Sequence, residues 1–510
     1  NRDYNLGNYN EGAKKAAGGG TGGGGNSSDP VDEKLTISVW GIYSPIIQGC
    51  VMKKQSGQSL VVGLMFLPIV VLFLLYLYNV SQQNLHKTRL QNTADAAVVS
   101  GSQFLARELN FKAYTNRAMI ANHVAIGQYV GLSSWFNFAV ETFDNIEDVA
   151  KYIPYIGSYF TSAEQYLDNI NESILQPGLE LAVTFTDLVN TILSNSQTVM
   201  ALSSAAAMVD SFDDVIKLND PQASLDAIST ATLSINVYKW MEYQSGFDRT
   251  DDTGRYGEYF QVVTDSRDSF LTDRSHDWPS AVPNVCLPLF FRISQTGGTD
   301  LINHGEDAKE TWTSMDTLSL NLKKPKLFGG CKNIEVPIGW GGAHAGEDND
   351  TDEYQSTEIY GKSRDINEHA SEYADERESA MNDAYSGIQQ FYSIKELTTS
   401  NDAPPVTIVV SKPLNALQTS KNLNIGTVNE DNTRNVDINI EEYVEVPRQK
   451  FSSVAKSRIY YHRATDLWPN DRFEYANLYN PYWQISLQDI DNTERGLLLG
   501  SVFGLNSVGY

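Results

Sequence analysis

The chain has 510 residues, enough for several domains and a sizeable core, and carries 38 basic against 63 acidic side chains for a formal charge of −25. Before Gln82 there are 6 basic and 5 acidic residues, leaving 32 basic against 58 acidic beyond it. A field of that sign disfavours nucleic acid and anionic lipid head groups as partners of the large part, and no nucleic-acid partner is expected.

In chain order, residues 1–51 come first. Asn1 to about Glu33 is poor in apolar side chains and includes the run Gly18-Gly19-Gly20-Thr21-Gly22-Gly23-Gly24-Gly25, which reads as a flexible tail with no reason to fold, whereas Lys34–Ile47 partly alternates and reads as a short strand or a segment lying on the membrane surface. Met52-Lys53-Lys54 stands directly before an apolar run, as at the start of a bacterial membrane-targeting segment, so Met52 is an alternative beginning for the native protein.

Residues 52–81 read as a membrane anchor. From Leu60 to Tyr78 there is no charge, no Asn and no Gln. At ~1.5 Å per residue such a helix is about 28 Å long, close to the hydrocarbon thickness of a bilayer. The core helix of a soluble domain seldom stays apolar on every face for that distance. The side chains expected to meet lipid are Leu60, Leu64, Phe66, Leu67, Val71, Leu74, Leu75 and Tyr78. Signal peptidase needs small residues just past the apolar core; Tyr76-Leu77-Tyr78-Asn79-Val80 supplies none, so the anchor is expected to be retained. Lys53 and Lys54 favour a cytoplasmic amino-terminal side, with the acidic bulk translocated.

Residues 82–245 continue the helical pattern as a stalk or bundle. Leu85, Leu90, Ala94, Ala97, Val98, Gly101 and Leu105 recur at helical spacing. Ala94–Ser102 is nearly all small residues, which makes Ala94, Ala97, Val98 and Gly101 the candidate helix-packing positions, against this chain's own domain or against another chain. Gly101, Asn110 and Gly127 are candidate bends, and Pro154 and Gln176-Pro177-Gly178 are candidate breaks. Asp220-Pro221 reads as an N-cap followed by proline at the first helical position, and Leu179–Val209 is apolar at helical spacing. Four or five antiparallel helices are expected.

Residues 246–510 change character. Short β-type runs appear at Tyr259–Thr264, Leu287–Ser294, Thr317–Leu322, Val406–Ser411 and Val454–His462. Residues 347–378 are an acidic loop with 12 acidic and 3 basic side chains, and Asn367–Gln390 reads as a solvated helix. The fold class is therefore α+β: a single transmembrane helix continuing into an extramembrane helical bundle, followed by a β-containing carboxy-terminal region.

Local chemistry is sparse. Asp348-Asn349-Asp350-Thr351-Asp352-Glu353 begins like a calcium loop, but Glu353 stands where the turn needs Gly and Ile359 where a bidentate Glu belongs. Asp273-Arg274-Ser275-His276-Asp277 only approximates a metal-ion adhesion motif, and the seven histidines form no local ligand pair. Neither a nucleophile elbow nor a phosphate loop is present. No catalytic residue, metal or cofactor is expected. Of the three cysteines, Cys50 precedes the anchor; Cys286 and Cys331 are expected to pair in an oxidising compartment, the alternative being two buried free thiols.

Three stretches carry a family resemblance. Gly57-Gln58-Ser59-Leu60-Val61, the single apolar span and Leu90-Gln91-Asn92-Thr93-Ala94-Asp95-Ala96-Ala97 resemble the amino-terminal region of the TadG/TadE-like proteins of bacterial tight-adherence (Tad, or Flp) pilus systems. Leu109–Asn122 and Leu478-Tyr479-Asn480-Pro481-Tyr482-Trp483-Gln484 resemble TadG-related members that lack a von Willebrand-type domain. The resemblance implies a bitopic, non-enzymatic inner-membrane protein with its amino terminus cytoplasmic and its large part periplasmic, working with pseudopilins and the pilus-assembly machinery. Val62 stands where prepilin-peptidase substrates carry Glu, so cleavage is not carried over, and neither is metal-dependent adhesion. A membrane-anchored adhesin or envelope sensor, with ligand binding in the aromatic-rich carboxy-terminal region, is the alternative.

Overall fold

A computed structural model describes residues 58–150, 157–279, 291–305, 308–325, 331–346, 365–395, 400–413, 450–463 and 474–503. The chain divides into two compact units, Asn1–Phe73 and Leu74–Tyr510. Of the first, the described part is the opening of helix α1, Gln58–Ala150, which contains Pro68.

In the second unit α1 is the spine. It runs unbroken through Gly101, Asn110 and Gly127, the positions at which a bend was expected. Glycine serves close approach instead: a Cβ on Gly101 would sit 2.1 Å from Cε1 of Phe212. Helix α2 (Gly157–Ile170), a π-helical turn (Asn171–Leu175) and α3 (Gln176–Asn219) follow with helical backbone at both junctions. Pro177 therefore starts α3 rather than interrupting the chain, because the first turn of a helix needs no N–H from it. Pro154 lies outside the described residues. Asp220 is the carboxy-terminal cap of α3 and accepts from Lys412, whereas Asp226 caps α4 (Ala227–Tyr243) by accepting from Ile228 N. The Asp-Pro signal is thus displaced by six residues of turn and bridge, since Lys412 claims the Asp220 carboxylate.

The remaining elements are mixed. Strands β1 (Ser224–Leu225), β9 (Val406–Pro413), β10 (Lys450–Tyr461) and β11 (Trp483–Leu487) form a four-stranded antiparallel sheet in the order β1-β9-β10-β11. A five-stranded sheet runs β3 (His276–Trp278), β4 (Phe291–Ile302), β5 (Thr311–Pro325), β6 (Cys331–Gly346), β7 (Glu378–Asn382), with only β6 and β7 parallel. β2 (Gln244–Phe247) pairs with β8 (Phe391–Ile394). Helices α5 (Arg255–Asp265), α6 (Ser269–Thr272), α7 (Glu368–Glu372) and α8 (Asn492–Phe503) complete the set. The α+β class holds, with helices leading and sheets following.

Two local expectations fail. Tyr259–Thr264 is helical, because Tyr256, Tyr259 and Val263 recur on one face of α5 and are all buried. Asn367–Gln390 is not one solvated helix: α7 and a short 3-10 turn (Ala374–Arg377) lead into strand β7, which pairs with β6. The runs at Thr317–Leu322, Val406–Ser411 and Val454–Tyr461 are strands.

Two successive cores form along α1. In the first, Leu90, Ala94, Ala97, Val98 and Leu105 meet Met208, Phe212 and Ile216 of α3 and the buried Ile408, Val410 and Ile459 of the four-stranded sheet. In the second, Met119, Ile126 and Val130 meet Tyr259 of α5 and Trp312, Ala343 and Ala345 of the five-stranded sheet. Gly341 of β6 admits the helix here: a Cβ would lie 2.3 Å from the backbone N of Phe138. That obstacle is main chain, so no side-chain rotation can relieve it.

Candidate functional site

Two of the resembling blocks, more than 350 residues apart in sequence, meet on one face of α1. Asn110 Nδ2 donates to the carbonyl of Trp483 at 3.0 Å, and the Trp483 N–H donates back to Asn110 Oδ1 at 3.0 Å. The amide side chain thus acts as one more rung beside a strand. Asn116 Nδ2 donates to the carbonyls of Leu478 at 2.8 Å and Tyr392 at 2.9 Å, while Gln197 Nε2 donates to Asn116 Oδ1 at 2.7 Å. Immediately before the second block, Asn477 Oδ1 accepts from the N–H groups of Tyr479 and Asn480, a turn held by its own side chain. Glu474 below it is desolvated, but hydrogen bonds from Tyr461, Asn477, Asn480 and Arg463 outweigh burial and hold its carboxyl below the usual range.

Beside this junction lies a fully buried charge pair. Lys112 Nζ donates to Glu108 Oε1 at 2.6 Å and to Gln244 Oε1 at 2.9 Å, and sits 3.9 Å from the Tyr392 ring centre. Glu108 also accepts from Ser204 Oγ at 2.6 Å, Trp240 Nε1 at 3.0 Å and Gln244 Nε2 at 2.6 Å. Burial lowers the Lys112 pKa, and the Glu108 carboxylate works against that shift. Both side chains are 0% exposed, so each charge is compensated by the other and not by water. The four-residue spacing of Glu108 and Lys112 was visible in the sequence; their burial with Ser204, Trp240 and Gln244 was not.

The surface next to the junction is an open groove of about 540 Å³. Ile120, Val124 and Val262 supply apolar lining, with Arg117, Gln128 and Asn480 as polar groups around it. One turn away, His123 is buried and neutral: desolvation pushes its pKa down to about 3, and its Nδ1 lies 3.1 Å from the Tyr385 hydroxyl. The groove presents one guanidinium and two amides over apolar side chains, an arrangement suited to binding a surface.

Other candidate residues fall as follows. Leu60, Leu64, Phe66, Leu67, Val71, Leu74 and Tyr78 are exposed and Leu75 is half-buried. Among the described residues one helix is long and apolar enough to cross a membrane, and its most apolar window has mean hydropathy 2.9 with none of it buried. Ala94, Ala97 and Val98 lie in the first core and Gly101 receives Phe212, so these positions pack on this chain's own α3 and sheet. Cys286 and the calcium-like run at 348–353 lie outside the described residues; Cys331 opens β6 opposite Pro325. Arg274 of the adhesion-like pentapeptide is committed to a bidentate pair with Asp316 at 2.8 and 2.9 Å, and Asp277 pairs with Arg292.

Among the described residues, an apolar helix continuing into an α+β body gives one candidate membrane span. Residues 57–107 match the family model described as putative Flp pilus-assembly TadE/G-like. The match covers about a tenth of the chain, the anchor and the segment after it, and supports the resemblance of that region to TadG/TadE-like proteins of the Tad pilus system. The match ends before Leu109 and so leaves out the two blocks that meet at the junction. Neither a curated protein nor a solved structure matches the chain.

Proposed function

We propose that the chain is a non-enzymatic, bitopic component of Tad/Flp pilus assembly, held in the bacterial inner membrane with Gln82–Tyr510 in the periplasm. The supporting observation is the family match, which falls on the apolar span and the first turns beyond it. The groove beside the Asn110–Trp483 junction is the contact for pseudopilins or the assembly machinery, with Arg117 supplying charge selection at an apolar surface.

The test is cross-linking in native membranes followed by purification and identification of the partners. Pilin-like or pilus-assembly proteins should co-purify with the native chain and be lost with Arg117→Glu, while that variant keeps the native unfolding temperature because Arg117 is exposed. Topology reporters fused after Gln82 should read as periplasmic. A cytoplasmic readout would overturn the proposal.

A further inference from the structure

The middle of helix α3 is built inside out. Between buried Val183 and Met208 its inward face carries the buried polar side chains Asn190, Ser194, Gln197 and Ser204, whereas large aliphatic side chains such as Leu188, Val199 and Leu202 are in contact with solvent. An ordinary surface helix has the reverse arrangement. The outer residues also follow a strict alternation of four and three positions from Leu181 to Val209. That is the heptad repeat of a coiled coil, not the wider stripe of a helix lying on a globular core.

The identities at those positions are selective. One set of positions holds Phe185, Ile192, Val199 and Ala206. The other holds Leu181, Leu188, Asn195, Leu202 and Val209. In heptad terms these are a and d. Ile192 and Val199 at a, with Leu181, Leu188 and Leu202 at d, follow the pattern that favours two parallel strands, while Phe185 and Ala206 do not. Asn195, the one polar member, is at the midpoint of the stripe, where a two-fold axis brings it against its own copy and where a mispaired register would bury it against an aliphatic side chain.

We propose that α3 pairs with α3 of a second copy of this chain as a parallel two-stranded coiled coil. Area supports the pairing. The seven large aliphatic and aromatic side chains of the stripe are each 39% to 70% exposed. At roughly 150–200 Å² for a large side chain they offer on the order of 700 Å², near the ~800 Å² each partner gives to a standard stable interface. Charge supports it as well. Although the chain carries −25 overall, Asp187 is the only charged residue from Leu181 to Val209, and it already accepts hydrogen bonds from Ser386 and Gln389. Two acidic copies can therefore meet on this face without facing like charges. Finally, α3 runs antiparallel to α1, as Gly101 meeting Phe212 and Asn122 meeting Asn190 show. A two-fold axis along α3 leaves both copies of α1 running the same way, as two chains anchored in one membrane require.

The pairing stands or falls independently of the pilus role. The full chain in detergent should be dimeric by light scattering, and Leu188→Glu/Leu202→Glu should raise its dissociation constant about 100-fold or more while leaving the unfolding temperature unchanged. Under mild oxidation in membranes, Asn195→Cys and Leu181→Cys should each yield a product of twice the chain mass, above the background of the native cysteines, while Asp252→Cys on a distant exposed turn should not. A monomeric native chain overturns the pairing, as does a dimer indifferent to the double substitution. Cross-linking of Asn195→Cys but not Leu181→Cys overturns the parallel arrangement, and cross-linking only to a different protein assigns the stripe to a heterologous helix instead.

Discussion

Two stretches of α1 invert the usual relation between hydropathy and burial. Leu60–Phe73 is apolar on every side and bare, whereas Leu90–Val140 carries Glu108, Lys112, Asn116, His123, Ser134 and Asn137 and buries all of them to within 5% of full cover. The difference lies in what each stretch has for a neighbour. Side chains of the first suit a hydrocarbon solvent, which makes no hydrogen bonds. Those of the second sit against carbonyls, amides and hydroxyls of α3, β2, β6 and the Leu478–Gln484 block, which take the place of water for all but His123 Nε2. Polarity on a buried helix is therefore a record of contacts with specific partners.

The sharpest way to break that contrast is to remove one partner of the buried pair. Glu108→Ala should destabilise the chain by about 3–5 kcal/mol in thermal or denaturant unfolding, because Lys112 is left charged and unpaired. Glu108→Leu/Lys112→Met should recover most of the loss, since the penalty belongs to the orphaned charge and not to the absence of the pair. In the bare stretch the same logic acts on partition instead. Leu67→Arg should cost about 2.5–3.5 kcal/mol of membrane insertion and release chain into the soluble fraction on cell fractionation. Asn110→Ala removes both hydrogen bonds to Trp483 and should cost about 1–3 kcal/mol in unfolding.

A further contrast appears only on acidification. His123 is held neutral by burial, with a folded pKa of about 3 against 6.5 when solvated, so the unfolded chain binds the extra proton between those values. Stability from this group is complete above about pH 6.5 and is lost as pH falls toward 3, by up to about 1.4 kcal/mol per pH unit. Unfolding of His123→Gln should show a shallower decline over that window than the native chain; superimposable profiles would contradict a neutral buried imidazole.

Legibility in the sequence followed the range of the interaction. The candidate span was readable because one rule, an apolar side chain on every face, holds for nineteen residues from Leu60 to Tyr78. Strands β9 and β10 were readable because Val406–Ser411 and Val454–Tyr461 are β-rich over enough length to state their preference. Tyr259–Thr264 misled, since tyrosine and valine favour strands locally while their three- and four-residue spacing from Tyr256 obeyed a helix. At the junction, the blocks at Leu109 and Leu478 stood out as blocks, yet nothing local says that Asn110 faces Trp483, because no sequence period links positions 373 apart. The outer stripe of α3 was spelled out in the chain all along, and only the exposure of its side chains separates it from the core of a bundle.

The Asn110–Trp483 contact also fixes an order in time. Asn110 leaves the ribosome 373 residues before the main-chain groups it will hold. At synthesis rates of ~5–20 residues per second that interval is about 20–75 s. For most of it the first core lacks β9 and β10, and throughout it lacks β11 and the Leu478–Gln484 block that Asn110 and Asn116 hold. Closing so distant a loop is slow even once the last strand exists. A chain of this topology therefore spends its youth with a half-clothed helix, and a truncation short of Leu478 should leave that helix in the same state permanently, as prey for proteases rather than as a smaller working protein.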